Sequence, residues 1–209
     1  MSVNSWPALP SAIRTAFRLV RRGFLEEVGW LESVRKQEPV DRQGRPLPWI
    51  TYSCIYFLEK RVRPNFDVFE YGCGNSTLWW AKRVNRVVSC EHDMSWYKRF
   101  APIVGQNVCL NHVELEGGYA KFVISQSERY DIIVIDGRDR VSCMRNALAA
   151  IKESGVLVVD NTERDEYRPG LELLLQKGFR RIEFYGIGPI NRYAWTTSLF
   201  YRDNNCLGI

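Results

Sequence analysis

The spacing of apolar residues changes character near residue 64. Before it, Ile13, Phe17, Val20, Phe24, Val28 and Leu31 recur at steps of three or four, which predicts a helix over 11–36 capped by Ser11. A polar Pro/Gly stretch, 37–48, predicts a loop, and WITYSCIYFLEKRV (49–62) predicts a second helix that Pro64 closes. After it, short apolar runs alternate with helical stretches. Strands are expected at 66–71, 86–91, 107–115, 130–137 and 155–161, with helices at 76–83, 93–104, 141–153 and 165–177. Two further strands, 179–187 and 193–201, come last with no helix between them.

Strands alternating with helices predict a parallel sheet covered on both faces. Runs such as IIVI in 130–137 and VLVV in 155–161 suit strands buried on both sides. The last two strands should be antiparallel neighbours. The expected organisation is an α/β domain over 64–209 with a helical N-terminal extension, 1–63, packed on it.

Composition narrows the picture. With 45% hydrophobic and 25% charged residues the chain is globular, and no apolar run is long enough to span a membrane. Two histidines, and six cysteines with no C-x-x-C pair, leave no basis for a structural zinc site. Cysteines set in apolar stretches fit a reducing compartment, and the first residues lack a secretory apolar core, so a cytoplasmic location is expected. Arg14, Arg18, Arg21 and Arg22 supply four of the net five positive charges. The remainder is near neutral, which argues against nucleic acid as a partner. The basic helix is expected to pack on its own domain, with weak membrane-surface contact as the alternative.

The candidate chemistry begins where FDVFEY (66–71) runs into Gly72-Cys73-Gly74-Asn75-Ser76 and a helix. Glycines let the backbone turn sharply and approach a ligand, in the crevice off the carboxyl ends of the strands. Glu91 ends the next strand nineteen residues after Gly72, the offset at which a carboxylate takes ribose hydroxyls. The third glycine of a dinucleotide fingerprint is replaced by Thr77, and Glu70 stands where such a site is usually apolar. An acid there suits a cationic amino group better than a pyrophosphate.

FEYGCGNST, VVSCEHD, YDIIVIDG and GVLVVDN together resemble the motifs of class I S-adenosylmethionine-dependent methyltransferases, over about 49–201, nearest the FkbM and small-molecule branch. The resemblance implies a seven-stranded Rossmann-like sheet, mostly parallel, with its last strand antiparallel. It implies S-adenosylmethionine as cofactor, with Gly72 and Gly74 under its methionine part, Glu70 and Ser76 near its amino end, Glu91 on the ribose, and His92 and Asp93 beside the adenine. Glu116-Gly117-Gly118 would approach the adenine edge.

Candidate catalytic residues lie at the next two strand ends: Asp136, which also faces the cofactor, with Arg138, Asp160 and Asn161. Catechol-type methyltransferases bind magnesium with acids in this order. The metal-free reading is preferred here, with Asp136 or Asp160 as base and Arg138 as an anchor, because Arg138 and Arg140 can neutralise Asp136. Trp49 and Tyr52 could cover the cofactor, and Asn191, Arg192 and Tyr193 could line the acceptor site. The acceptor is expected to be a small molecule or glycan methylated on oxygen. A nicotinamide-dependent oxidoreductase and a non-catalytic adaptor are the competing readings.

Overall fold

The computed structural model describes residues 10–209. The sheet has seven strands in the order β3-β2-β1-β4-β5-β7-β6. These are β1 (Asp67–Tyr71), β2 (Arg86–Glu91), β3 (Val108–His112), β4 (Tyr130–Ile135), β5 (Ile151–Asp160), β6 (Arg180–Gly186) and β7 (Trp195–Tyr201). Only β7 runs against the others: it is antiparallel both to β5 and to β6. This is the Rossmann-like sheet, mostly parallel with its last strand antiparallel, that the resemblance to class I methyltransferases implies.

Alternate side chains of the central strands feed two cores. Phe69, Tyr71, Ile133, Ile135, Leu157 and Val159 face one side, beneath α7 (Phe122–Ser125), α8 (Arg140–Ala150) and α9 (Arg168–Gln176). Val68, Ile132, Val134, Val156 and Val158 face the other, where α4 (Tyr52–Glu59) and α5 (Asn75–Ala81) supply Ile55, Leu58, Trp79 and Trp80. Leu47 and Ile50 join this second core. Residues from 47 onward thus share the core of the sheet rather than forming a layer outside it. α6 (Met94–Phe100) comes after β2 and buries Phe100.

The helix predicted over 11–36 is three helices: α1 (Ser11–Arg22), α2 (Phe24–Glu27) and α3 (Trp30–Lys36). Glycines make both breaks. Gly29 adopts φ +80°, and a Cβ there would collide with the backbone at Asp41 and Arg42. α3 packs, burying Ser33, but no residue of α1 is buried. β5 starts four residues earlier than predicted, because Lys152–Gly155 bulge out between the pairs Tyr130–Ile151 and Ile132–Val156 instead of ending the helix. Among the described residues no helix is long and apolar enough to cross a membrane.

Candidate active site

The glycine turn leaves β1 at the middle of the sheet. Gly72 takes φ +95°, a conformation costly to any residue with a Cβ, and its own N–H and C=O are tied to β2 through Cys90 O at 2.8 Å and the Ser89 hydroxyl at 2.7 Å. Two buried carboxylates hold the rest of the turn. Glu91 accepts the Cys73 N–H at 3.0 Å and the Asp93 N–H at 2.8 Å, and His92 Nδ1 lies 2.8 Å from the same carboxylate. Glu70 accepts the Thr77 hydroxyl, whose oxygen in turn accepts the Gly74 N–H at 3.1 Å. Thr77 is thus a bridge between an acid and the turn, which gives a physical reason why no glycine stands there.

The cleft over this turn is lined by Cys73, Gly74, Asn75, Ser76, Trp96 and Asp136 and roofed by Gln37–Pro39 and Trp49. It is narrow, about 110 Å³, because the roof is tied down: Asn75 Nδ2 donates to Pro39 O at 2.8 Å, and Arg99 pairs with Glu38. Trp96 is a lining residue that sequence reasoning misses. Its indole donates to Cys73 O at 2.5 Å; its signal in the sequence is an aromatic in the first turn of the helix after Glu91. Asp93 caps α6, accepting from Ser95 N and Trp96 N, so its carboxylate is committed to the helix. Glu116 and Gly117 are exposed and stand apart from the lining; buried Tyr119, packed edge-on against His92, lies nearer. Tyr52 lines a separate, larger hollow of about 590 Å³ near Glu27 and Lys82, which holds none of the other predicted site residues.

At the ends of β4 and β5 one residue gathers the acids. Arg140, only 7% exposed, donates to Asp136 Oδ1 at 2.8 Å, Asp136 O at 2.9 Å, Gly137 O at 3.0 Å, Asn161 Oδ1 at 3.0 Å and the Asp160 carbonyl. Asn161 is held at φ +57° in this arrangement. The Asp160 carboxylate turns to β7, accepting Trp195 Nε1 at 2.9 Å and the Thr197 hydroxyl at 2.5 Å. Asp136, Asp160 and Asn161 are therefore brought together, whereas Arg138 is exposed and makes no side-chain hydrogen bond or ion pair among the described residues. A magnesium ion does not fit this donor set. Asp136 and Asn161 already point oxygens at a guanidinium, and a cation among them would face that charge directly.

Electrostatically the edge is acid-rich. Burial pushes Glu70 up from the usual 4.5 to about 8, with the Ser76 and Thr77 hydroxyls pulling back. Burial also raises Asp160, which the charge of Asp136 raises further. Asp136 is raised by burial and held down in part by Arg140.

No family model matches the chain. It is 23% identical to a ribosomal protein L11 methyltransferase of a Nitratiruptor species, over 76% of this chain and 54% of that one. A second ribosomal protein L11 methyltransferase, from Caldicellulosiruptor saccharolyticus, is 28% identical over 49% of this chain and 34% of its own. The chain thus spans about half or less of these curated relatives. Among solved structures, it is similar to a precorrin-6y C5,15-methyltransferase from Geobacter metallireducens (TM-score 0.56, 14% identity, 71% and 86% of the two chains). It is also similar to an rRNA methylase from Streptococcus thermophilus (TM-score 0.53, 16% identity, 71% and 93%). A Streptococcus mutans chain solved in complex with SAH has TM-score 0.51 at 13% identity over 70% and 94%. The chain therefore has the fold of class I S-adenosylmethionine-dependent methyltransferases.

These relatives overturn one expectation. The two curated relatives are named for a ribosomal protein and the Streptococcus thermophilus structure for ribosomal RNA, against the reading of a small-molecule or glycan acceptor with no nucleic acid. The charge argument behind that reading averages over the whole surface. Exposed Arg138, Arg164 and Arg192 follow β4, follow β5 and precede β7, at the strand ends that carry the cleft, where Arg164 pairs with Glu163 and Glu166.

The geometry of the buried charges can be tested in two ways. Arg140→Met leaves the buried acids and carbonyls unpaired, so urea unfolding should show a loss of about 3–5 kcal/mol; a loss below about 1 kcal/mol would remove Arg140 as the clamp. Glu70 keeps its proton in the folded protein to about pH 8 but loses it near 4.5 when unfolded. Stability should therefore fall as pH rises between those values, and Glu70→Gln should flatten that fall in thermal melts. A wild-type profile that Glu70→Gln leaves unchanged would place the carboxyl in a wetter setting.

Proposed function

We propose that the protein is a methyltransferase that uses S-adenosylmethionine and acts on RNA. The observation that carries the cofactor is charge. Glu70, Glu91 and Asp160 are buried and Asp136 is half-buried at one edge of the sheet, with Arg140 as the single buried cation beside them among the described residues. A ligand bearing a sulfonium and an ammonium relieves this excess of acid, whereas a pyrophosphate adds to it. The same charge count, with Thr77 tied between Glu70 and Gly74, disfavours a nicotinamide dinucleotide.

The cofactor supplies a methyl group on a sulfur that carries positive charge. Glu91 accepts from the ribose hydroxyls, a role that requires it to share or exchange its present bonds to Cys73 and Asp93. Gly72 and Gly74 give the backbone close approach, with Ser76 and Glu70 on the amino side and His92 next to Glu91 on the ribose side. The proton of the acceptor goes to Asp136, the acid of the Asp136–Asp160 pair that lines the cleft, since burial makes it a better base than a surface carboxylate. Arg140 and Asn161 hold that pair, and Arg138 contacts the acceptor.

An RNA acceptor is supported by exposed Arg138, Arg164 and Arg192 with Tyr193, which is 66% exposed, at the same edge. Arginines position phosphates, and an aromatic face stacks an unpaired base. Incubation with a methyl-labelled donor and ribosomal RNA should place label in the RNA. Glu91→Ala should lower kcat/KM by about ten- to a hundredfold, as expected for losing a charged hydrogen-bond partner. Label that enters only ribosomal protein would replace the RNA reading, and label unaffected by Glu91→Ala would remove Glu91 from the site.

A further inference from the structure

α1 buries none of its side chains in the core. It runs twelve residues, Ser11–Arg22, and none of them is buried. Arg14, Arg18, Arg21 and Arg22 fall at i, i+4, i+7 and i+8, so a helical pitch gathers them on one face. No acid occurs before Glu26. Ile13 and Phe17 fall on a second face at the same pitch, and they are exposed by 51% and 58%; Leu19, at 50%, widens it. Lone apolar side chains on a surface need no explanation, but a stripe of them opposite a stripe of arginines does.

We propose that α1 lies on an anionic lipid surface. In water the apolar face stays wet at a cost. In the boundary between headgroups and acyl chains it is buried, while the arginines on the neighbouring face lie level with lipid phosphates and carboxylates. Both faces are then used. A nucleic acid would use the arginines and leave Ile13, Phe17 and Leu19 in solvent, and a second copy of α1 would bring two sets of four positive charges together. The length supports lying rather than crossing: twelve residues make about 18 Å of helix, well short of a bilayer core. This surface is independent of the cofactor reading, since none of its residues lines the cleft.

Sedimentation of the full chain with vesicles tests it. Phosphatidylserine mixed with phosphatidylcholine should carry the protein down, pure phosphatidylcholine should not, and added salt should loosen the complex. Phe17→Glu and Arg18→Glu should each lower the bound fraction roughly fivefold or more, with the melting profile unchanged because both side chains are exposed. Failure to sediment with anionic vesicles, or equal sedimentation of wild type and both variants, would overturn the proposal. So would binding of an RNA oligonucleotide that Arg18→Glu abolishes and Phe17→Glu does not, together with indifference to vesicles.

Discussion

Buried charge governs this molecule. Parallel strands that end side by side deliver acids to one edge of the sheet: Glu70 near the end of β1, Glu91 at the end of β2, and Asp160 at the end of β5, with Asp136 just past β4. Each must be hydrogen-bonded or paired, because an isolated buried carboxylate is too costly to keep ionised. The chain meets this in two ways. Glu91 and Glu70 are built into the glycine turn, through Cys73 N–H and through Thr77 and Gly74 N–H, so the acids that need partners shape the loop that a ligand approaches. Asp136 and the β5 end are gathered by Arg140. The result is an acid-rich edge on which burial raises Glu70, Asp136 and Asp160.

Much of this fold can be read from the sequence, and for a physical reason. A strand buried on both faces must be apolar without interruption, and YDIIVI is buried at all six positions of β4. The glycine turn is equally visible, since Gly72 does adopt the left-handed conformation its place implies. The partners are not. Nothing in local spacing says that Arg140 rather than Arg138 is buried, because the choice depends on how α8 meets the ends of two strands distant in sequence. Trp96 and Pro39 reach the cleft from separate segments for the same reason. The long helix expected over 11–36 fails at Gly29, where the close backbone of Asp41 and Arg42, a contact with no local signature, decides the break.

Net charge misleads where geometry does not. Four arginines on α1 and three more at the cleft edge are diluted in a chain of net charge +5, yet they face different surroundings. Those at the cleft stand with Tyr193, an aromatic suited to stacking a base; those on α1 stand opposite Ile13, Phe17 and Leu19, suited to lipid. The partition of basic residues by what apolar groups accompany them carries more information than their sum.

The most direct test of the acid-rich edge is calorimetric titration with S-adenosylmethionine in buffers of different ionisation heat. At neutral pH Glu70 carries its proton, and a cationic ligand beside it should drive that proton off. The expected result is saturable binding with release of up to about one proton, and no heat from NAD. Binding of NAD with no response to S-adenosylmethionine would contradict a site built from buried acids to take a cation.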